Sequence, residues 1–486
     1  MTTQPGPSKN TATAPVWCGI VPPYLLRALA SSGDPRVEER ARETLRIDQL
    51  RYEQHTRQHS LRASGERVSR SATRATTEAP NRLIHDAKNG TTLPGTKVRA
   101  EGEPATDDVA VNEAYDGLGA TWELWHAAYA RNSLDDRGLG LVATVHYSAN
   151  YDNAFWDGSQ MVFGDGDGEV FLGFTRSLDV IGHELAHGVT QYTSGLVYQD
   201  QAGALNEHVS DVFGILVKQR FLGQSAEQSD WIIGAELLAP GVKGVGLRSM
   251  KAPGTAYDDP RLGKDPQPGH MDDFVVTDDD NGGVHINSGI PNRAFHLVAT
   301  ALGGNAWGRP GAIWYAVITG DIRADCDFAT FAALTEAAAA AAHGEDSPEA
   351  EAVRAAWREV GVTDEAEQSP APSPTPTPTP APTPPPAPAP APDEPRQVQV
   401  RRTGGFAGLV RERTVVLDEL PEPDASAWRG LLAGPTPQLQ AYAGGQTQPD
   451  RFCYGVSCEA PPLDLTIQEP ALPDTVRELF DRTLEA

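Results

Sequence analysis

The stretch that most constrains this chain is the pattern H-E-x-x-H, which His183, Glu184 and His187 form within residues 179–187. On a helix, residues four apart lie on the same face, about one turn from each other. Both imidazoles can therefore point at one metal ion, while Glu184 can reach a water molecule that the metal activates. Zinc suits two histidines plus a third ligand, with the fourth position left open. The pattern predicts the centre of a metal-dependent peptidase.

A second segment downstream supplies the missing ligand. Residues 203–211 read Gly-Ala-Leu-Asn-Glu-His-Val-Ser-Asp and continue into apolar residues at helical spacing. Glu207 is the candidate third ligand, and Asp211 lies one turn further on, where a carboxylate can hold a ligand imidazole by its other nitrogen. A solvated helix face with two chance histidines is the alternative for the five-residue pattern alone. The second segment favours a site for one zinc ion.

Residues 151–214, 247–250 and 280–290 carry four signatures that resemble the thermolysin family of zinc metallopeptidases. The resemblance implies an α+β catalytic unit of two lobes, with the active-site cleft between them. The first lobe is expected to be rich in β-structure and the second mostly helical. The implied activity is that of an endopeptidase acting on protein or peptide substrates.

The resemblance also implies roles in catalysis. Glu184 is expected to take a proton from the attacking water and to deliver it later to the leaving amine. His285 and Tyr198 match the residues that stabilise the negatively charged oxygen of the intermediate, and Asp280 matches the carboxylate that orients His285. Taken singly, a core histidine and a core tyrosine are the alternatives for His285 and Tyr198.

Substrate binding is implied at further positions. Asn153 and Ala154 match the edge strand that pairs with the substrate backbone. Arg248 matches the arginine that binds the substrate carbonyl beyond the cut. The pocket for the residue after the cut is expected to be lined by apolar side chains, namely Phe171, Val180, Ile233 and Leu247. We therefore expect cleavage on the N-terminal side of large hydrophobic residues such as Leu or Phe.

Departures from the family pattern bear on calcium. Asp179 matches one ligand of a double calcium site, but Lys218 stands where the family has another carboxylate. A lysine cannot ligate calcium, whereas its ammonium group can neutralise Asp179, and the remaining Asp230 is too little for two ions. Three further ligand positions carry no carboxylate: Ile232, Ala235 and Val245. Calcium is therefore expected to be absent or weakly bound.

Composition narrows the partners and the location. The 486 residues carry a formal net charge of -26 at pH 7, which disfavours nucleic acid as a partner. No basic cluster followed by an apolar run opens the chain, and no stretch resembles a membrane span. We expect no membrane association, and either a cytoplasmic location or secretion by a route that the sequence does not reveal.

Composition also divides the chain into five regions. Residues 1–80 are a predicted short propeptide, whose Pro-Pro-Tyr-Leu motif resembles the protealysin subgroup and implies a precursor that removes its own pro-segment. The alternative is an ordinary helical extension. The catalytic lobes are expected at 81–188, ending in the H-E-x-x-H helix, and at 189–362. A linker rich in Pro, Ala and Thr follows at 363–395, and a small α+β domain at 396–486.

The last domain resembles emfourin, an inhibitor of protealysin-like enzymes. The resemblance rests on a Gly-Gly-Phe-Ala-Gly turn, an Asp-Arg-Phe-x-Tyr strand and a terminal helix that follows Leu-Pro. It implies that the active site has the chain's own propeptide and own C-terminal domain as partners. One alternative is a module that binds substrates or targets. Another is a catalytically silent binding protein, against which the intact Glu184 and His285 argue.

Four cysteines, at positions 18, 326, 453 and 458, are too few for a disulfide framework. Cys453 and Cys458 are predicted to be two reduced, partly buried thiols, with pairing across adjacent strands as the alternative. Cys18 is predicted to be a small buried residue, with a cap for the zinc in a latent precursor as the alternative.

Overall fold

The structure is a computed structural model that falls into two compact units, Met1–Pro370 and Ala371–Ala486. It describes these residues: 18–63, 78–363, 397–403, 411–417, 420–432, 453–459, 462–468, 472 and 474–485. Most of the predicted cleavable connection before Pro80 and most of the Pro-rich linker lie outside the described residues.

A six-stranded mixed sheet forms the first lobe. Its strands are β1 Cys18–Gly19, β2 Leu83–Asp86, β3 Thr96–Ala100, β4 Val142–Val145, β5 Ala154–Trp156 and β6 Met161–Phe163. Their order is β1-β5-β6-β4-β2-β3. Strand β1 was not predicted, and it runs antiparallel to β5 with Cys18 opposite Trp156 and Gly19 opposite Phe155. The predicted propeptide therefore adds an edge strand to the catalytic sheet.

Four helices accompany this sheet: α1 Pro23–Leu29, α2 Pro35–Ala63, α3 Val109–Tyr129 and α4 Leu178–Tyr192. Asp108 caps the start of helix α3 by accepting from the amides of Ala110 and Val111. Gly117 in its middle lies directly against Ile181 of α4, where a side chain has no room. The glycine therefore permits the close contact between α3 and the helix that carries H-E-x-x-H.

The second lobe is mostly helical. Its helices are α5 Asp200–Leu222, α6 Asp280–Asn287, α7 Gly289–Leu302, α8 Arg309–Thr319, α9 Phe328–His343 and α10 Pro348–Glu359. Short strands interrupt it: β7 Ile232–Ile233, β8 Arg248–Ser249, β9 Asp258–Asp259 and β10 Gly263–Lys264. Helices α4 and α5 touch where a Cβ on Gly182 would lie 3.0 Å from the Cα of Gly214. This close approach brings His183 and His187 of α4 next to Glu207 of α5.

The described residues of the C-terminal unit form a four-stranded antiparallel sheet and two helices. These are β11 Gln397–Thr403, β12 Arg411–Val416, α11 Glu422–Leu431, β13 Cys453–Glu459, β14 Pro462–Gln468 and α12 Asp474–Glu485. Trp428 and Phe480 stack at 5.0 Å in its core, and Trp428 Nε1 donates to Thr483 Oγ1 at 2.9 Å. The β-rich lobe, the helical lobe and this α+β unit are the predicted fold class.

The backbone bears on one of the two alternatives for the cysteines. Cys453 and Cys458 lie on the same strand, β13, which excludes the alternative that they pair across adjacent strands. Five strand positions separate them by about 16 Å, far beyond the span of a disulfide. Cys458 is buried. The side chain of Cys18 lies outside the described part of the chain, so both alternatives for Cys18 stay predictions.

Candidate active site

Three buried side chains on α4 and α5 converge on one point. The Nε2 atoms of His183 and His187 are 3.1 Å apart. Glu207 places one carboxylate oxygen 3.5 Å from His183 Nε2 and the other 3.4 Å from His187 Nε2. No other group of three or more His, Cys, Asp or Glu side chains in the described ranges can hold a metal ion. The structure thus brings the three predicted ligands together.

Hydrogen bonds fix how both imidazoles are protonated. Asp211 Oδ1 lies 2.8 Å from His183 Nδ1, and Asn206 Oδ1 lies 2.8 Å from His187 Nδ1. Asn206 is oriented by its own amide nitrogen, which donates to the carbonyl of Leu196 at 2.9 Å. Both Nδ1 atoms therefore carry the hydrogen, and both Nε2 atoms present lone pairs to each other. Sequence reasoning missed Asn206, although it adjoins Glu207.

These donors fit one zinc ion. Two nitrogen lone pairs 3.1 Å apart, beside a carboxylate, repel each other unless a cation lies between them. Ligand atoms bound tetrahedrally at 2.0–2.2 Å lie roughly 3.3 Å apart, which is close to the observed spacing. Burial opposes the ionisation of Glu207, but nearby positive charge, first of all that of His285, lowers its pKa to about 2. The site thus offers an ionised carboxylate and two neutral imidazoles.

Glu184 lies beside the ligands without being one of them. Its Oε2 accepts a hydrogen bond from the backbone amide of Trp156 at 2.9 Å. Its Oε1 is buried and has no hydrogen-bond partner among the described residues. Burial, and secondly the charge of Glu207, raise the pKa of Glu184 well above its ordinary value. One oxygen is therefore anchored, and the other is available to a reacting group.

His285, Tyr198 and Asp280 also meet at this site. Asp280 Oδ1 lies 2.7 Å from His285 Nδ1, and its other oxygen accepts from the backbone amide of His285. Tyr198 donates to Glu207 at 2.6 Å and lies 3.2 Å from His285 Nε2. Burial lowers the pKa of His285, but Asp280 and Glu207 outweigh it and the net shift is upward. Tyr198 and His285 thus place hydrogen-bond donors next to Glu207, and Asp280 orients His285.

The predicted propeptide occupies the positions that were predicted for a substrate. The amide of Ile20 donates to the carbonyl of Ala154 at 3.1 Å. Asn153 accepts from the amide of Val21 at 2.9 Å and donates to the Val21 carbonyl at 3.2 Å. Arg248 Nη1 donates to the carbonyl of Ile20 at 3.3 Å. Ile20 therefore stands where the sequence predicts the residue after the cut.

The side chain of Ile20 is fully buried in the large apolar core. The four residues predicted to line the pocket after the cut belong to the same core: Phe171, Val180, Ile233 and Leu247. Arg248 is held beside them by Asp211, which accepts from its Nε at 2.9 Å and from its Nη2 at 2.7 Å. The same carboxylate thus orients a metal ligand and the arginine that binds the backbone.

A second cluster surrounds the buried Lys218, whose Nζ lies 3.0 Å from the buried Asp179, 3.2 Å from the exposed Asp230 and 3.4 Å from the exposed Glu236. It also donates to the carbonyl of Ile232 at 3.4 Å. Burial alone would lower the pKa of Lys218, but the three carboxylates raise it above its ordinary value. Sequence reasoning anticipated the pairing with Asp179 and missed Glu236. An ammonium group thus lies among carboxylates of the kind that bind calcium.

The two-lobed fold and a paired-histidine helix facing a glutamate define the class of metallopeptidases. Family models agree with this assignment. The catalytic domain of the thermolysin metallopeptidases matches residues 48–191, and their alpha-helical domain matches residues 194–362. Emfourin matches residues 400–484. The first of these matches begins inside the predicted propeptide.

Individual relatives agree as well. An extracellular metalloprotease of Pectobacterium carotovorum subsp. carotovorum is 49% identical over 349 residues, 71% of this chain and 96% of that protein. A thermolysin of Alicyclobacillus acidocaldarius subsp. acidocaldarius is 39% identical over 290 residues, 58% of this chain and 50% of that protein. The solved precursor of protealysin, a metalloproteinase from Serratia proteamaculans, matches with a TM-score of 0.64 at 51% identity, covering 71% of this chain and 100% of that chain. The chain belongs to the thermolysin family of metallopeptidases, as the sequence predicted.

Proposed function

We propose that this metalloprotease is a zinc-dependent endopeptidase that cuts on the N-terminal side of large hydrophobic residues. The observation that carries the proposal is the binding of Ile20, whose amide and carbonyl are held by Ala154 and Arg248 while its side chain is buried. A substrate residue held in the same way presents the preceding peptide bond to Glu184. Zinc, when bound, polarises a carbonyl and lowers the pKa of water.

The residues of the chain carry the proton transfers. Hydrolysis adds the hydroxyl of water to the carbonyl carbon and a hydrogen to the amide nitrogen, so the bond between them breaks. Glu184 takes the proton from water and passes it to the leaving nitrogen. Tyr198 and protonated His285 donate to the oxygen that becomes negative, and Asp280 favours that protonated form of His285.

A peptide series that differs only in the residue after the cut tests the specificity. We expect kcat/KM for Leu or Phe to exceed that for Asp or Gly by at least about tenfold, because an apolar pocket gains from burying a large side chain. Equal rates across the series would contradict an apolar pocket for the residue after the cut. Loss of cleavage after zinc removal, and its return with zinc, tests the metal separately.

We also propose that the chain is a precursor whose first 80 residues block the site until they are removed by the enzyme itself. The backbone contacts of Ile20 and Val21 with the residues predicted to bind substrate support this proposal. N-terminal sequencing and mass measurement after incubation test the self-processing. Processing should stop in Glu184→Gln. Continued processing of that variant alone would assign the cut to another protease.

The emfourin match supports a proposed inhibitory role for the C-terminal domain. A linker tethers this domain to the catalytic unit, and at about 3 Å per residue in an extended chain it permits a long reach. Tethering raises the effective concentration of an inhibitor into the millimolar range, so even a weak one keeps the enzyme silent. Cutting the linker would then release activity.

The test compares peptidase activity of the processed full chain with that of a chain ending at Val362. If truncation raises activity, and the separate domain of residues 396–486 lowers it again, the fused-inhibitor proposal stands. If both chains cut equally well, the domain is a module that binds substrates or targets. If neither cuts after the propeptide is removed, the chain is a silent binding protein.

The cluster around Lys218 supports the proposal that this site needs no calcium, because its ammonium group already faces Asp179.

The location of the enzyme is a separate question. The relatives in Pectobacterium carotovorum and Serratia marcescens are extracellular metalloproteases. No helix among the described residues is long and apolar enough to cross a membrane. We propose that the enzyme acts outside the cell, and the test is to detect it in culture medium without cell lysis.

A further inference from the structure

A series of buried hydrogen bonds leads from the metal ligand His183 into the second lobe. Asp211 contacts His183 Nδ1 at 2.8 Å and accepts from Asn292 Nδ2 at 2.8 Å. Asn292 Oδ1 lies 2.8 Å from His208 Nδ1. Trp314 Nε1 donates to His208 Nε2 at 2.7 Å. All five side chains are fully buried, so water does not compete for these bonds.

The far end of this series sets the direction of every bond in it. An indole can only donate, so His208 Nε2 must be the acceptor for Trp314. The single hydrogen of a neutral His208 is then on Nδ1, and it is donated to Asn292 Oδ1. The amide nitrogen of Asn292 is thereby turned towards Asp211. A reversed amide would set oxygen against oxygen at this contact.

Asp211 connects these bonds to the metal ligand His183. Its Oδ2 accepts from Asn292 and from Arg248 Nε, and its Oδ1 accepts from Arg248 Nη2 and from His183 Nδ1. Both oxygens thus have two donors each, in fixed directions. His183 keeps its hydrogen on Nδ1 and its lone pair on Nε2, which is the form that binds a metal.

The other histidine ligand is held by a shorter route. His187 bonds to Asn206, and Asn206 is anchored on the backbone carbonyl of Leu196. Only the route from His183 depends on distant side chains from two other helices, α7 and α8. A change at His208 is therefore expected to act on one ligand and to leave the other in place.

We propose that His208 is a positioning residue, which acts through Asn292 and Asp211 to keep His183 in its metal-binding form. This inference rests on the proposed zinc site and adds to it a residue outside the site. His208 touches neither the metal position nor the substrate position. Its expected effect is on the affinity for zinc, and activity should follow only through zinc occupancy.

The test measures zinc affinity of the full chain. Zinc is removed with a chelator, and the chain is titrated with zinc alone against a competing chelator of known affinity. His208→Leu leaves the Asn292 oxygen and the Trp314 nitrogen without their partner, so we expect zinc binding about tenfold weaker. His208→Gln keeps one donor and one acceptor in the side chain and should recover most of the affinity. Saturating zinc should restore the activity of both variants.

His296→Leu is the matched control. His296 is also buried, lies on the neighbouring helix α7 and packs edge-on against Trp231, and its Nδ1 has no hydrogen-bond partner in the described structure. This variant should lose stability without losing zinc affinity. Equal zinc affinities for the Leu variants at His208 and His296 would overturn the inference.

If His208→Leu does not fold, Trp314→Phe takes its place, because it removes the donor and keeps a ring. It should also weaken zinc binding, and unchanged affinity would overturn the inference. Failure of the unaltered chain to bind zinc is a different result. It would overturn the proposed zinc site, and the inference with it.

Discussion

Asp179 and Glu207 are both fully buried and lie on neighbouring helices, but different groups face them. Lys218 places its ammonium group 3.0 Å from Asp179, so that carboxylate has a counterion within the chain. Glu207 faces two histidine nitrogens whose hydrogens are directed away from it. In the first cluster an ammonium group lies among the carboxylates, whereas in the second two histidine lone pairs and Glu207 converge on a point that no side-chain cation occupies.

Burial of carboxylates does not by itself mark a metal site. What marks it is the convergence of two imidazole lone pairs and a carboxylate on one point that no side-chain cation occupies. Asp48 of α2 is a third case, since it accepts from Tyr151 at 2.6 Å and Asn153 at 3.2 Å and has no ion pair in the described structure. Burial raises its pKa to about 7. Lysine, a metal ion and a proton are thus three ways to accommodate a buried acid.

The largest effect on activity is expected from removing the general base while the metal ligands stay in place. Glu184→Gln should lower kcat by about 10³-fold, because the general base is lost while all three ligands remain. Zinc content should stay at the level of the unaltered chain. Glu236→Gln at the Lys218 cluster is the control and should retain activity. Loss of zinc from Glu184→Gln would show that Glu184 belongs to the metal-holding set.

Removing the internal cation is the next test. Lys218→Met leaves Asp179 buried without its counterion and should lower the free energy of unfolding by about 3 kcal/mol. Urea unfolding of the full chain measures this change, with exposed Lys264→Met as the matched control. Millimolar calcium should move the melting temperature of the unaltered chain by less than about 2 °C. A large calcium shift would contradict the assignment of Lys218 as the counterion.

A carboxylate placed in the cleft without any counterion should be expelled. Ile20→Asp puts a charge where the structure has a fully buried apolar side chain. The unprocessed chain ending at Val362 should then cut peptides about tenfold faster, because the propeptide leaves the site more often. Leu50→Asp, at a partly exposed position of the same propeptide, is the control and should change little. Equal activity of both variants would contradict the blocking role.

The smallest effect concerns Asp48 and pH. Its pKa is about 7 when the propeptide is docked, against an ordinary value of 3.8, so docking favours the protonated form. Docking should be strongest near pH 4, weaken as pH rises to about 7, and change no further through this group. Protection of the Ile20 and Val21 amides from hydrogen exchange, measured in Glu184→Gln to prevent processing, reports the docking.

Asp48→Asn is the control for this pH effect. It keeps an oxygen acceptor but cannot ionise, so the difference between the two chains isolates Asp48 from other groups in the same range. Asp152 is one of these, because burial raises its pKa beside Arg40. An identical pH dependence in the two chains would exclude Asp48 as the cause.

The sequence predicts best what depends on spacing along one helix. The positions of His183, His187 and Glu207 follow from helical spacing and from one neighbouring segment. Contact between α3 and α4 favours a small residue at Gly117, where a Cβ would lie too close to Cδ1 of Ile181. Such tertiary requirements leave no periodic signal in the sequence.

Long-range polar contacts were also beyond the sequence. His208 and Asn292 are 84 positions apart, and His208 and Trp314 are 106 apart. No spacing rule connects residues at such distances. Strand β1 was missed for a similar reason, because Cys18 and Gly19 form a strand only by pairing with β5. This pairing places Ile20 and Val21 against Asn153, Ala154 and Arg248, and these contacts are what the sequence alone could not show.

The most direct test of the central claim is elemental analysis of the purified full chain after dialysis against metal-free buffer. The account predicts one zinc per chain, held by His183, His187 and Glu207, and no calcium. It also predicts that Glu207→Gln loses the zinc. A chain without zinc, or one that retains calcium in stoichiometric amount, would contradict the distinction between the cluster around Glu207 and the cluster around Lys218.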